Sequence, residues 1–348
     1  MGPLDRLVIT EPLLRRIAGI DEFKGRWTAL GNLAPERLSA LRRIATIESI
    51  GSSTRIEGVR LTDDEIEKLL SGLDIRSFRS RDEQEVAGYA ELMELIFDSY
   101  RDMSLTENHV LQLHGVLLNY SEKDARHRGH YKSLPSNVEA FDDNGRSLGV
   151  IFETASPFET PRLMRELVDW TRTALETAEH HALLVISVFV VRFLAIHPFQ
   201  DGNGRLSRAL STLLLLRGGY DYVPYSSLER IVEDNKDEYY RALRGAQATL
   251  DGDESRLHEW ISFFIGCLVK QKDVLARKIE QEHLMTPLAP LSQELLGIVD
   301  SHGRITVRQA VALTGANRNT IKHHLRQLVT AGRLVQHGVG RGVWYARS

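Results

Sequence analysis

The sequence predicts a mainly α-helical protein with one β-hairpin and a small winged helix-turn-helix module at its C-terminal end. Three observations carry this reading. Apolar residues recur at helical spacing through most of the chain, framed by caps and stops. One Asn-Gly dipeptide, Asn144-Gly145, sits between two runs of extended character in NVEAFDDNGRSLGVIFETA. A tight type I′ turn needs positive φ at both central residues, which this dipeptide tolerates. Finally, residues 301–348 carry eight Arg or Lys and no acid, whereas the other 300 residues hold 36 basic and 47 acidic side chains. That asymmetry marks a separate module suited to an anionic partner.

The elements follow in order. Pro35 suits a first helical position and leads into RLSALRRIATIESIGSSTRIEG, which Gly58 stops. Thr62 and Glu65 form a capping box that opens LTDDEIEKLL. RDEQEVAGYAELMELIFDSY and LTENHVLQLHGVLLNY give two more helices. Past the hairpin, Thr160-Pro161 starts another, and HALLVISVFVVRFLAI, LSRALSTLLLLRGG, DEYYRALRGAQATL and SRLHEWISFFIGCLVKQKDVLARKIEQE complete the body. LMTPLAPLSQ, with two prolines, reads as a linker, placed at 276–290. Three short helices and a glycine-turned hairpin then fill 291–348, which is the winged-helix pattern.

Composition excludes several classes. With 348 residues there is room for two or three domains, and 42% hydrophobic with 26% charged residues is ordinary for a globular chain. The single cysteine, Cys267, rules out an internal disulfide or a cysteine-rich zinc cluster and favours a reducing compartment, the cytoplasm. MGPLDRLVITEPLLRR does not read as a signal peptide. The longest apolar stretch, Ala182 to Val191, is broken by Ser187 and stopped by Arg192. A bilayer takes about 20 apolar residues, so a buried central helix is expected and no membrane partner.

The chemistry concentrates in His197 to Arg208, HPFQDGNGRLSR. An apolar helix ends at His197-Pro198, a glycine turn follows, and a second apolar helix begins near Gly204. The first turn of that helix offers unpaired backbone N–H groups and the positive end of a dipole, a cradle for an anion. Arg205 and Arg208 project from one side of it, which suits a polyphosphate. Asp201 supplies a hard oxygen of the kind that joins Mg²⁺ together with substrate phosphates. His197 is the one residue of the stretch suited to general-base work near neutral pH. No GxxxxGK[ST] occurs, so this is not a P-loop.

These residues resemble the signature of the Fic family, HPFx[D/E]GNGRxxR, at all nine specified positions. RGHYK, VIFETASPFETPRLMRELVDW and DNKDEYYRAL resemble the family's segment before the flap, its flap with the following helix, and its nucleotide-site helix. The resemblance covers most of residues 40–275. It implies an N-terminal helical region at 1–100, a Fic core at 101–275 with a β-hairpin flap, and transfer of AMP from ATP to a protein hydroxyl of Tyr, Thr or Ser. It implies His197 as base, Asp201 holding Mg²⁺, a phosphate cradle of Gly202, Asn203 and Gly204, and Arg205 and Arg208 on the triphosphate. The flap edge that would pair with a target segment is Val150, Ile151, Phe152, Glu153 and Thr154. Asn235 with Tyr239 or Tyr240 would line the adenine pocket.

A second motif, Ser53-Thr-Arg-Ile-Glu57-Gly58, resembles the family's inhibitory [S/T]xxxE[G/N]. The resemblance has Glu57 pair with Arg208 and block the γ-phosphate. The same glutamate serves metal-dependent AMP removal in some relatives, which stays open as an alternative, and regulated members often form homodimers. In the basic tail, Asn317, Arg318, Asn319, Thr320, Lys322 and His323 would face a DNA major groove, with Arg333 and Arg341 near phosphates. The different-class reading is therefore a DNA-binding regulator whose body senses nucleotide, and protein docking is an equal use for such a module.

Overall fold

The computed structural model describes residues 4, 7–29, 35–72, 78, 80–136, 138–141, 147–247, 256–285, 289–330, 332–338 and 340–347. Helices dominate the described residues: α1 Glu11–Ala29, α2 Pro35–Ile56, α3 Asp63–Ser71, α4 Arg81–Ser99 and α5 Glu107–Leu117 precede a hairpin of β1 Val138–Phe141 and β2 Ser147–Phe152. Then come α6 Thr160–Thr177, α7 Ala182–Ile196, α8 Asn203–Arg217, α9 Leu228–Asp234, α10 Lys236–Gln247 and α11 Leu257–Met285. The chain closes with α12 Pro290–His302, α13 Val307–Thr314, α14 Arg318–Thr330, β3 Leu334–His337 and β4 Trp344–Arg347. It divides into two compact units, one of residues 1–24 and 44–272, the other of residues 25–43 and 273–348.

In the larger unit α7 is apolar all round, and a helix of that kind must lie inside. Twelve of its 15 residues are buried, and it packs against α6 and α8. Trp260 of α11 donates its indole N–H to the Ser187 backbone carbonyl of α7 at 2.7 Å, and the Ser187 hydroxyl donates to the Leu183 carbonyl at 2.6 Å, so both polar groups carry partners. No helix of the described residues is long and apolar enough to cross a membrane.

Local signals set the boundaries that matter for function. α2 ends in a Schellman motif: Val59 N–H donates to the Thr54 carbonyl at 3.2 Å, Gly58 N–H to the Arg55 carbonyl at 3.0 Å, and Gly58 takes φ +103°. This makes Glu57 the C-cap residue. The Thr62–Glu65 capping box opens α3 as expected. β1 and β2 pair antiparallel, Val138 opposite Phe152 and Glu139 opposite Val150, with two register irregularities. The Asn144-Gly145 turn lies outside the described residues. Of the expected docking edge, Val150, Ile151 and Phe152 belong to β2, while Glu153 and Thr154 follow it. α11 runs on through Met285, past the expected start of the linker at 276, because no proline interrupts VLARKIEQE before Pro287.

In the smaller unit, α12, α13 and α14 enclose a core of Leu295, Leu296, Val299, Ile321, Leu325 and Leu328 that Leu334 and Tyr345 of the β3–β4 pair complete. Ile305 bridges Tyr345 as one more antiparallel contact. A Thr306–Gln309 capping box opens α13, and Gly315 at φ +68° ends it.

Candidate active site

α7 stops at His197, whose backbone takes the left-handed conformation, φ +51°, while its N–H still donates to the Phe193 carbonyl at 2.9 Å. A non-glycine residue there costs about 1–2 kcal/mol, so the surroundings must hold it. They do so closely. Lys132 donates its backbone N–H to the Pro198 carbonyl at 2.8 Å and its ammonium to the Ile196 carbonyl at 3.1 Å. Phe199 is fully buried and stacks on His114 of α5 with ring centres 3.8 Å apart. The Asn203 amide grips the Phe199 backbone from the other side, accepting from its N–H at 2.9 Å and donating to its carbonyl at 2.8 Å.

His114 fastens the turn itself. Its Nδ1 accepts from Gly129 N–H at 3.0 Å, so Nε2 carries the proton that it donates to the Asp201 carbonyl, also at 3.0 Å. Burial pushes this imidazole down to about 4, which keeps that tautomer neutral. Gly202, at φ +81°, caps α8, and a Cβ on it would press on Leu117 at 3.0 Å. The Asp201 carboxylate accepts from Gly202 N–H at 2.7 Å and pairs with Arg205 at 3.3 Å and Arg81 at 3.2 Å. Burial alone would raise this carboxyl, but Arg205, Gly202 N–H and Arg81 together hold it below its ordinary range. Arg205 is 2% exposed and also meets Glu85 of α4 at 2.9 Å.

Glu57 and Arg208, which the sequence resemblance expects to pair, are in contact. Arg208 Nη2 donates to Glu57 Oε1 at 2.7 Å and to the Ser53 carbonyl at 2.9 Å, and Nε donates to Ser53 Oγ at 2.8 Å. The Glu57 carboxylate lies over the first turn of α8, where a Cβ on Gly204 would overlap it. An acid at the C-terminal end of its own helix thus sits at the N-terminal end of another, where the dipole favours it. Burial would raise the Glu57 carboxyl, yet the Arg208 guanidinium outweighs it and holds the group ionised below its usual range. Arg208 is likewise held charged, the Glu57 carboxylate more than offsetting burial.

A cavity of about 910 Å³ opens onto this place. His197, Gly204 and Glu57 line it together with Phe152 of the hairpin and Tyr239, Tyr240, Arg241 and Arg244 of α10. Glu57, not Arg208, faces the cavity. Burial moves His197 down to about 4, with the Lys132 charge acting the same way, so the imidazole is a neutral base at pH 7.

Three expected roles change in the structure. The Asn203 side chain is not free for phosphate, because both ends of its amide hold Phe199, and the cradle falls to the backbone N–H groups. Arg205 is buried against Glu85 and Asp201 and does not line the cavity. Asn235 does not line it either: its amide donates to the Ile231 carbonyl at 2.7 Å and accepts from Lys270 at 2.8 Å. The residues unnoticed in the sequence are Arg81 and Glu85, both on α4, and His114 on α5. For Mg²⁺ the donor set is one carboxylate, Asp201, and no group of three or more potential ligands occurs among the described residues. One carboxylate fits an ion that arrives with phosphates, not a cation held by protein alone. In the smaller unit Asn317, Arg318 and Asn319 are exposed at the start of α14, with Lys322 half-buried, but Asn317 Oδ1 accepts from Asn319 N–H at 2.8 Å and so caps the helix.

Residues 104–215 match the model of the Fic/DOC family, and residues 276–346 match a bacterial protein family of unknown function, DUF977. The chain is 26% identical over 265 residues to a protein adenylyltransferase Fic of Drosophila willistoni, covering 75% of this chain and 47% of that protein. It is 33% identical over 99 residues to a probable protein adenylyltransferase of Aquifex aeolicus, 28% of each chain. The chain spans about half the length of the Drosophila relatives it matches. Its fold resembles that of a Fic family protein from Desulfovibrio desulfuricans G20, with TM-score 0.62, 24% identity and 98% and 97% of the two chains covered. A Fic domain containing signaling protein from Bacteroides thetaiotaomicron is similar at TM-score 0.60 and 25% identity, covering 73% of this chain and 94% of that one. With the family match spanning both helices of the site and the turn between them, this chain carries a Fic/DOC family domain at residues 104–215.

Proposed function

We propose that this chain is a self-inhibited protein adenylyltransferase. The observation that carries the reading is the Glu57 carboxylate, paired with Arg208, lying over the first turn of α8 and lining the cavity that His197 also lines. A carboxylate there occupies the place that helix and arginine prepare for a phosphate oxygen.

In the proposed reaction ATP lies in the cavity with its phosphates toward α8. His197 accepts the proton of a target Tyr, Thr or Ser hydroxyl. That oxygen forms a bond to the α-phosphorus as the bond to the bridging α–β oxygen breaks, and pyrophosphate leaves. Backbone N–H groups of Asn203 and Gly204 and the α8 dipole would bear the charge that develops. Asp201 would hold a Mg²⁺ ion brought in on the phosphates, which neutralises the leaving group. Tyr239 and Tyr240, which line the cavity, would flank the adenine base. Phe152, the last residue of β2, lines the same cavity as His197, which supports strand addition along β2 as the way the acceptor would be presented. Productive binding of the γ-phosphate requires Glu57 to leave Arg208.

The reaction class is tested with ATP labelled at either end. α-Labelled ATP with Mg²⁺ should mark protein in the Glu57→Gly variant and γ-labelled ATP should not. γ-Label on protein would replace AMP transfer with phosphorylation. Because Glu57 and His197 line one cavity, AMP removal is a second reading. It predicts that wild type, but not Glu57→Gly, releases AMP from protein that the variant has labelled.

For the smaller unit we propose a winged helix-turn-helix whose exposed Arg318 and Asn319 meet nucleic acid. The full chain titrated against mixed duplex DNA should bind with an affinity that falls steeply with salt, and Arg318→Ala should lessen that slope by about one. Salt-independent binding, or none, would favour protein docking.

A further inference from the structure

We infer that Lys132 is a positioning residue that holds the backbone of His197 and the flap hairpin as one piece, so that a strand docked on β2 and the base facing it keep a fixed relation. The inference rests on reading His197 as the base and the flap as the docking edge. Lys132 is 3% exposed and does not line the cavity, so it acts through its neighbours.

Its bonds fall on both sides of the residue under strain. The ammonium donates to the Ile196 carbonyl at 3.1 Å and the backbone N–H to the Pro198 carbonyl at 2.8 Å, the two carbonyls that flank His197. Ile196 is the last residue of α7, where carbonyls lack helical partners and a positive charge is favoured. The same ammonium donates to Thr154 Oγ1 at 2.7 Å, and that hydroxyl donates to the Ser136 carbonyl at 2.8 Å. Thr154 lies two residues after β2 and Ser136 two before β1, so one amine reaches both feet of the hairpin. Its acceptors are neutral oxygens, and burial lowers the amine to about 8. A lysine that served stability alone would be better placed in water or beside a carboxylate. A donor with several N–H groups suits this junction because separate chain segments must be gripped at once.

The test uses the full chain in the Glu57→Gly background, with self-labelling from α-labelled ATP and amide hydrogen exchange over residues 147–154. Lys132→Met should slow labelling at least about tenfold with the KM for ATP within about twofold, because a displaced base costs turnover and not nucleotide binding. Lys132→Arg should restore part of the rate. Thr154→Val cuts the tie to the flap and leaves both carbonyls beside His197 held. It should speed flap exchange with a smaller loss of rate. Thermal unfolding separates these effects from loss of fold. Unchanged labelling and exchange in a folded Lys132→Met variant would overturn the inference, as would labelling that falls only with the folded fraction. Should Glu57→Gly label nothing, the adenylyltransferase reading fails, and faster flap exchange in Lys132→Met still decides whether Lys132 ties the hairpin down.

Discussion

Glu57 shows how one residue can be unfavourable locally and favourable in the fold. At the C-cap of α2 it opposes that helix's dipole, and Arg208 with the first turn of α8 compensates. The fit requires Gly204, since a Cβ there would lie 2.9 Å from Glu57 Cδ and overlap the carboxylate oxygen. Gly204→Ala should therefore cost about 1–2 kcal/mol in wild type and markedly less in Glu57→Gly, a coupling that urea unfolding of the four variants measures. Additive losses would mean that the two residues do not meet. The motif made Glu57 visible in the sequence. Asn203 was named by the family resemblance as part of a phosphate cradle, and its amide holds the Phe199 backbone. His114 gave no local signal, because a histidine on an apolar helix face gains meaning only when Gly129 and Asp201 arrive at its two nitrogens.

His114 also gives a pH prediction. Its folded pKa, about 4, lies below the unfolded 6.5, so the unfolded chain binds more protons between those values. Its contribution is fully present above 6.5 and is lost as pH falls toward 4, amounting to about 3 kcal/mol. His197 adds in the same direction. The stability of His114→Gln should fall less than that of wild type between pH 6.5 and 4. Parallel curves would show that His114 is not a neutral buried imidazole.

Among the elements, the α7–turn–α8 unit was legible because its information is contiguous: an apolar run, His-Pro, then glycines around an asparagine. The hairpin was legible from Asn144-Gly145 and its flanks, whereas its irregular register with Phe152 at the cavity depends on tertiary packing. The boundary after α11 was misplaced because prolines mark where a helix cannot continue, not where it first weakens. The turn before α8 depends on the Asn203 clamp. Asn203→Ala leaves the buried Phe199 N–H and carbonyl without their side-chain partners, so it should cost about 2–4 kcal/mol in urea unfolding. A loss under about 0.5 kcal/mol would mean that the loop holds its shape without the clamp.

For the whole molecule, the charge split predicted a separate basic tail. The smaller unit does contain residues 273–348, but it also draws in 25–43, which no sequence signal announced. In the larger unit, Glu57 at the end of α2 meets Arg208 of α8, so an N-terminal helix reaches the candidate site within one compact body. The central claim is that Glu57 and the γ-phosphate compete for Arg208. The most direct measurement is the initial rate of α-labelled AMP incorporation, with Mg²⁺, in wild type, Glu57→Gly and Glu57→Gly/His197→Ala. The rate should rise about tenfold or more when Glu57 is removed, and that rise should vanish when His197 is also removed. An equal or lower rate in Glu57→Gly than in wild type would contradict it.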